Sequence, residues 1–364
     1  MGGTEIRRLL ESFGSIDQAV SARPAELRRA GLADETIDGL HHPDTARIDA
    51  DLEWLARPGR DLLTWDDPRY PALLRETSGP PPGLWTVGNV DLLWQPQLAV
   101  VGSRNPTAGG LENARAFGRA LARAGFTLTS GMAAGIDSAA HQAALDVGGG
   151  TVAVLGTGPD VVYPAQNRRL AARIAADGVL VSGFPPGTTA HRRHFPARNR
   201  IISGLSLGVL VVEAALNSGS LITARLGAEQ GREVFALPGS IHNPLAKGCH
   251  RLIREGAKLV ETDAEILQEL APMAGRLADS LRAELNTPST AGLESEDDGP
   301  KIGDDPEYRK LWDSLGHDPL PMDTIIRSSG LTAKAVSAML LLLELKGQVE
   351  AHPGGAFSRK TRGR

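Results

Sequence analysis

Leu98-Ala99-Val100-Val101-Gly102-Ser103-Arg104 is an unbroken apolar run that stops on a glycine, a hydroxyl and a cation. A strand with one face in water alternates apolar and polar residues, so this run suits a strand covered on both faces. The pattern recurs at Thr127–Ser130, Thr151–Leu155, Val179–Ser182, Val209–Val212 and Glu233–Ala236. Between these strands lie stretches of helical character at Leu111–Ala124, Ser138–Ala144, Arg168–Ala176 and Ala224–Gln230. Alternating strands and helices predict an α/β domain over residues 98–275, a parallel sheet with helices on both faces. Right-handed crossovers then bring the carboxyl ends of the strands to one edge, where open α/β sheets bind their ligands.

Outward from this domain the sequence changes character. Residues 61–97 form a Pro-rich connector in which Trp65, Tyr70 and Trp85 are expected to anchor, and Pro80-Pro81-Pro82 fits neither a helix nor a central strand. Residues 1–60 read as helical, with Ile6, Leu9, Leu10 and Phe13 at helical spacing and Gly14-Ser15 ending the stretch. Their opening Gly-Gly and Leu-Leu resemble the latter part of a SAM-like or helix-hairpin-helix unit, whose first helix is then expected to be missing from this chain. A short bundle without an active role is the alternative. Residues 276–305 lose apolar periodicity and gather Glu294, Glu296, Asp297, Asp298, Asp304 and Asp305, the composition of a flexible acidic linker. Beyond it, Tyr308–Leu315, Met322–Ser328 and Ala333–Lys346 predict three helices, and Val349–His352 with Ala356–Ser358 a hairpin around Pro353-Gly354-Gly355. That combination is a winged helix over 306–364.

Composition narrows the functional classes. The 364 residues suggest two or three domains. With 41% hydrophobic and 4% aromatic residues, 42 Gly and 24 Pro, the chain suits an α/β protein rich in tight turns. There is no signal-peptide pattern, and the longest apolar run, Met339 to Leu343, is far too short for a bilayer. One cysteine, Cys249, excludes internal disulfides and a thiolate metal cluster within one chain, so a cytoplasmic protein without metal or cofactor is expected. At a net charge of −4 the chain is not a basic coating protein, and nucleic-acid binding must come from a local patch. One window offers it. Gly178 to Val212 contains no Asp or Glu, yet holds Arg192, Arg193, Arg198 and Arg200 with His191 and His194.

The candidate site residues sit at strand ends. Gly102 lets a ligand approach the backbone, while Ser103 and Arg104 offer donors; a guanidinium grips phosphate with two charge-assisted bonds. Ser130 and Gly131 open a second turn of small residues that runs to Asp137 and a helix N-terminus, a natural anion site. Asp137 and His141 share a helix face, and a structural contact explains them better than an acid/base pair because no nucleophile accompanies them. Gly156-Thr157-Gly158 lacks the third glycine of a dinucleotide fingerprint, and no Walker A sequence occurs, which argues against NAD and P-loop chemistry. After the fourth strand, Arg192, Phe195, Arg198 and Arg200 interleave guanidinium groups with one ring. Single-stranded nucleic acid needs this mixture: cations for phosphates and a flat face for a base. The alternative is a core phenylalanine flanked by private ion pairs. Finally, Glu213 leads to Ser218, Gly219, Ser220 and Thr223, a possible phosphate loop resembling the Glu-plus-Gly-Ser loop of nucleotide-binding relatives.

Taken together, the Gly-Ser-Arg turn, Ser130-Gly131 to Ile136-Asp137, Phe195 to Ser206, Ser218 to Ala224 and Phe235 to Ser240 resemble the DNA-processing protein A (DprA/Smf) family. The resemblance runs from about Trp65 to Glu261 and is most specific in the Phe195–Ser206 string. It implies an extended Rossmann-like domain that binds single-stranded DNA without sequence preference, forms homodimers, and loads RecA during natural transformation. Carried onto this chain, it implies a DNA pocket of Gly102, Ser103, Arg104, Ser130, Gly131, Arg168, Arg192 and Phe195. Arg168 and Arg192 stand where many relatives have lysine, so charge is kept while contact geometry changes. The competing reading is an enzyme of the lysine-decarboxylase-like fold, a nucleoside monophosphate phosphoribohydrolase using Glu213 and the Gly-Ser loop. The basic and aromatic strip, which a small-nucleotide pocket does not need, argues for a non-enzymatic DNA binder.

Overall fold

The computed structural model describes residues 3–285, 306–316, 319–331, 336, 339, 340, 343, 349–352 and 356–359. It divides into two compact units, Met1–Asn286 and Thr287–Arg364. The first unit opens with five short helices: α1 (Gly3–Phe13), α2 (Ile16–Ser21), α3 (Pro24–Arg29), α4 (Asp34–His41) and α5 (Thr45–Leu55). Ser15 and Asp44 cap α2 and α5 by accepting from the backbone N–H of Gln18 and Arg47. A small core of Leu9, Ala19, Leu27, Leu32 and Ile37 holds the bundle.

The segment expected to be only a connector instead extends the sheet. It forms β1 (Arg60–Thr64), the helical turn α6 (Ala72–Arg75) and β2 (Gly83–Gly88), and β1 and β2 pair antiparallel. The triple proline precedes β2 rather than lying within it, which is why strand structure survives. Tyr70 and the edge of Trp85 do anchor the segment: Tyr70 is fully buried with its hydroxyl donating to the Pro81 carbonyl at 2.8 Å, and Trp85 meets Trp54 at 5.7 Å.

Then follow β3 (Gln97–Val101), α7 (Ala108–Arg123), β4 (Thr127–Ser130), α8 (Ile136–Asp146), β5 (Thr151–Leu155), α9 (Arg168–Asp177), β6 (Val179–Ser182), α10 (His194–Leu205), β7 (Gly208–Val211), α11 (Gly219–Glu229), β8 (Glu233–Ala236), α12 (Lys247–Arg254), β9 (Lys258–Leu259) and α13 (Asp263–Leu285). The nine strands run in the order β1-β2-β6-β5-β4-β3-β7-β8-β9. From β3 to β9 every pairing is parallel, and β2 closes antiparallel on β6. The central strands are buried along their whole length, as their apolar runs predict. On one face Val101, Val181 and Val211 pack under Ile201, Leu205 and Leu252; on the other Leu98, Leu128 and Leu210 pack under Leu121, Ile136 and Ile266. Each such residue contributes about 1.5–3 kcal/mol by leaving water. Cys249 lies in this core with its thiol pushed up to about 11 by burial, so it is an inert packing residue.

The order of the strands creates the site. From β3 the chain steps outward through β4, β5 and β6, then returns by way of α10 to lay β7 on the other side of β3. Strand order therefore reverses between β3 and β7, the place where open sheets leave a crevice beyond their carboxyl ends.

Residues 276–285, expected to begin the acidic linker, continue α13 instead; residues 286–305 lie outside the described residues. In the second unit, α14 (Pro306–Ser314), β10 (Leu320–Pro321), α15 (Met322–Ser329), β11 (Val349–His352) and β12 (Ala356–Arg359) surround a core that includes Leu311, Ile325, Val336 and Leu343. Its sheet runs β10-β12-β11. Most of the predicted Ala333–Lys346 helix, and the Pro353-Gly354-Gly355 turn, lie outside the described residues.

Candidate nucleic-acid interface

The turn after β3 forms the centre of the crevice. A side chain on Gly102 would come within 2.6 Å of Ile136, so the backbone presses directly on the start of α8. Gly135, at φ +83°, allows the neighbouring turn to lie against the carbonyls of Ser103 and Arg104, a conformation that other residues rarely adopt. The Ser103 carbonyl accepts from Ile136 N–H at 3.1 Å, and its hydroxyl accepts from Asn105 N–H at 3.2 Å. Arg104, the next residue, is left exposed.

Below the turn lies a buried charge system. Asp137 accepts from the N–H groups of Gly131 and Ala133, both at 3.2 Å. Burial pushes its carboxyl up, while the Arg198 charge and those two N–H groups pull it back. Arg198 is 5% exposed, donates Nη1 to the Val154 carbonyl at 3.3 Å, and leaves Nε without a partner. A side chain on Gly131 would coincide with this guanidinium, so the glycine is what leaves room for Arg198 in this position. His141 is fully buried; Thr151 donates to the Leu128 carbonyl and accepts from His141 Nδ1 at 2.7 Å, which makes the ring a neutral Nδ1–H tautomer. Burial, then the Arg198 charge, lowers its pKa to about 3. Asp137 and His141 thus brace the floor, both within the field of the Arg198 charge.

Above that floor, α10 enters. Phe195 sits in its first turn, and its ring edge packs on Gly156 at the end of β5, where a side chain would come within 3.1 Å. The Arg104 and Arg198 guanidinium carbons stand 5.8 and 5.7 Å from the ring centroid, within cation–π range. A cleft of about 390 Å³ opens beside the ring, lined by Gly102, Arg104, Arg192, Phe195, Arg198 and the α11 start at Ser218, Gly219, Ser220 and Thr223. Ser218 caps α11, accepting from Ser220 N–H, so the positive end of that helix faces the same space. A smaller hollow of about 130 Å³ lies across the ring, bounded by Arg104, Gly131, Phe195 and Tyr163.

Not every predicted residue joins them. The Arg192–Arg200 strip is not a loop: from His194 it is helix, and helical periodicity sorts its arginines. Arg198 turns inward with Phe195, whereas Arg200 turns the other way, its Nη1 lying by the Gly79 turn, outside both hollows. Ser130 is buried within the sheet and donates to the Val100 carbonyl at 2.6 Å, and the Gly131 N–H is taken by Asp137. Ser130 supports the floor from within, while Gly131 also bounds the smaller hollow. Arg168 opens α9 and is exposed beyond the cleft lining. Sequence reasoning gives Tyr163 no role; its 48% exposure and its ring 6.0 Å from Phe195 mark it as part of the surface.

A sequence model described as DNA recombination-mediator protein A matches residues 61–271, more than half of the chain and the whole of this site. The chain belongs to that family. Residues 295–355 match a second model, the DprA winged helix domain. Among its recombination-mediator relatives, Protein Smf of Synechocystis sp. is 36% identical, covering 99% of this chain and 96% of its own. DNA processing protein DprA of Streptococcus pneumoniae is 49% identical over 73% of this chain and 92% of its own. The X-ray structure of S. pneumoniae DprA superposes with a TM-score of 0.67 at 40% identity, covering 73% of this chain and 93% of that one. DprA of Helicobacter pylori, whose structure was solved for its single-stranded DNA binding mode, gives 0.52 at 29% identity, covering 56% and 93%.

In this recombination-mediator chain the enzyme reading loses its central residue. Glu213 is buried and committed to the start of α7: its carboxylate accepts from Thr107 N–H at 2.9 Å and Thr107 Oγ1 at 2.6 Å, with Asn243 at 3.4 Å. It does not line the cleft. Its place in the predicted phosphate loop is therefore corrected: Ser218, Gly219, Ser220 and Thr223 reach the cavity, and Glu213 holds α7.

Proposed function

We propose that this protein binds single-stranded DNA without sequence preference in the β3/β7 cleft and, as a cytoplasmic homodimer, hands the strand to RecA during DNA uptake and recombination. The observation that carries this reading is the meeting of Arg104, Arg192, Phe195 and the α11 N-terminus around one cavity of about 390 Å³. Arg104 and Arg192 would neutralise phosphates, the α11 amides would hold another, and Phe195 would take the face of a base. Arg168, exposed at the start of α9, would meet the backbone outside the cavity. Phosphate contacts and stacking on a ring carry no base-sequence information, which fits sequence tolerance. The relatives named above, including one solved for its single-stranded DNA binding mode, support the same reading.

Mobility shifts of single- and double-stranded oligonucleotides across a salt series test it. The expected result is preference for single strands, with affinity falling steeply as salt rises. Arg104→Ala should weaken binding about tenfold for all sequences and reduce the log–log salt slope by about 0.7, one phosphate contact's share. The same variant should slow RecA filament nucleation in proportion. Unchanged affinity and slope in Arg104→Ala would exclude this cleft as the binding site.

A further inference from the structure

The Tyr163 hollow has no part in the reading above, yet it shares a wall with the cleft. We infer that it is a second base subsite: consecutive nucleotides straddle Phe195, one in the larger cleft and the next stacked on Tyr163, with Arg104 holding the phosphate between them. This inference rests on the single-strand reading of the cleft.

The geometry supplies each part. Arg104 and Phe195 line both spaces, so the cation sits at the step from one to the other. The two cavities differ in size, about 390 against about 130 Å³, the smaller suited to one flat ring and the larger to a whole nucleotide. Tyr163 arrives from the β5–α9 loop and Phe195 from α10, and their rings stand 6.0 Å apart with 46° between planes. They touch at an angle and do not form a slot, so each offers its own free surface to a separate base. Tyr163 is 48% exposed beside Arg104, so its ring offers a face on which a base can stack whatever its sequence. Pro164 adds an apolar edge and the exposed Gln166 an amide within reach of a base rim.

The test compares an oligothymidylate with a deoxyribose-phosphate oligomer of the same length that carries no bases. Tyr163→Ala should bind the oligothymidylate about tenfold more weakly, the loss of one stacked base. Its binding to the baseless strand and its salt slope should match wild type, and Tyr163→Phe should retain full affinity for both. Arg104→Ala should lose affinity for both strands. If Tyr163→Ala keeps wild-type affinity for the oligothymidylate, or loses equally on both strands, the subsite is overturned while the cleft stands. If Arg104→Ala is also without effect, the cleft reading itself has failed.

Discussion

Arg192 and Arg198 flank one aromatic ring, Phe195, and do opposite work. Arg192 is exposed at the rim of the cleft, whereas Arg198 is 5% exposed beneath it, facing Asp137 and the backbone of Gly131. Burial lowers the Arg198 pKa, with Asp137 opposing and Arg104 reinforcing that trend. A rim cation remains hydrated until it meets a phosphate; a floor cation has already given up its water to the fold. The two positions should therefore separate in experiment, stability lying with the floor and affinity with the rim. The largest effect is expected at Arg198→Met. Removing this guanidinium takes a nearby buried positive charge from Asp137 and the hydrogen bond from the Val154 carbonyl, and should lower unfolding free energy by about 2–3 kcal/mol. Urea melts of the full chain measure it, and a loss no larger than that of a surface substitution would erase the distinction.

The floor should also show in acid. His141 has an unfolded pKa of 6.5 and a folded one of about 3. A depressed base stabilises the fold fully above its unfolded pKa, and this contribution drains as pH falls from 6.5 toward 3. Asp137 acts with the opposite sign: its raised pKa favours the fold at low pH, and that contribution is lost as pH climbs through the raised value. The two trends separate on mutation, because replacing His141 removes only the first. The histidine's share is a loss of a few kcal/mol between about pH 6.5 and 4, and the acid profile of His141→Gln should differ from wild type by that share. Parallel profiles for the two proteins would remove His141 from the account.

The contrast also marks what could be read in advance. Strand runs such as Thr151–Leu155 are apolar on both faces, so their type and burial were legible from composition alone. The cleft was legible too, because Gly102, Arg104 and Ser218–Thr223 all follow strand ends that a parallel sheet must bring to one edge. The fate of the Arg192–Arg200 strip was not, because its charges were read as a linear string. Phe195, Ile201, Ile202 and Leu205 carry a helical apolar period that would have exposed α10, and Pro196 does not contradict it, since proline is tolerated in a first turn. Glu213 was misjudged for another reason. Whether a carboxylate faces a cavity or a neighbouring helix start depends on a contact with Thr107, far away in sequence. Likewise Tyr163 gains meaning only beside Phe195, which tertiary structure supplies.

The smallest effect expected is the most discriminating within one helix. Arg200 belongs to the same acid-free window and the same α10 as Arg198, and a linear reading gives it equal weight in DNA binding. In the fold its guanidinium lies by Gly79 and its backbone carbonyl accepts from Gln230 at 3.4 Å, on the side of the helix turned from the cleft. At a surface position a lost charge changes stability by no more than about 0.5 kcal/mol. A charge screened over a Debye length of about 8 Å at physiological salt adds little to a strand bound elsewhere. Arg200→Ala should thus keep both the melting curve and the single-strand affinity of wild type, where Arg104→Ala loses affinity and Arg198→Met loses stability. A tenfold affinity loss in Arg200→Ala would mean that the strand runs over the opposite side of α10, and the division between rim and floor would have to be redrawn around that path.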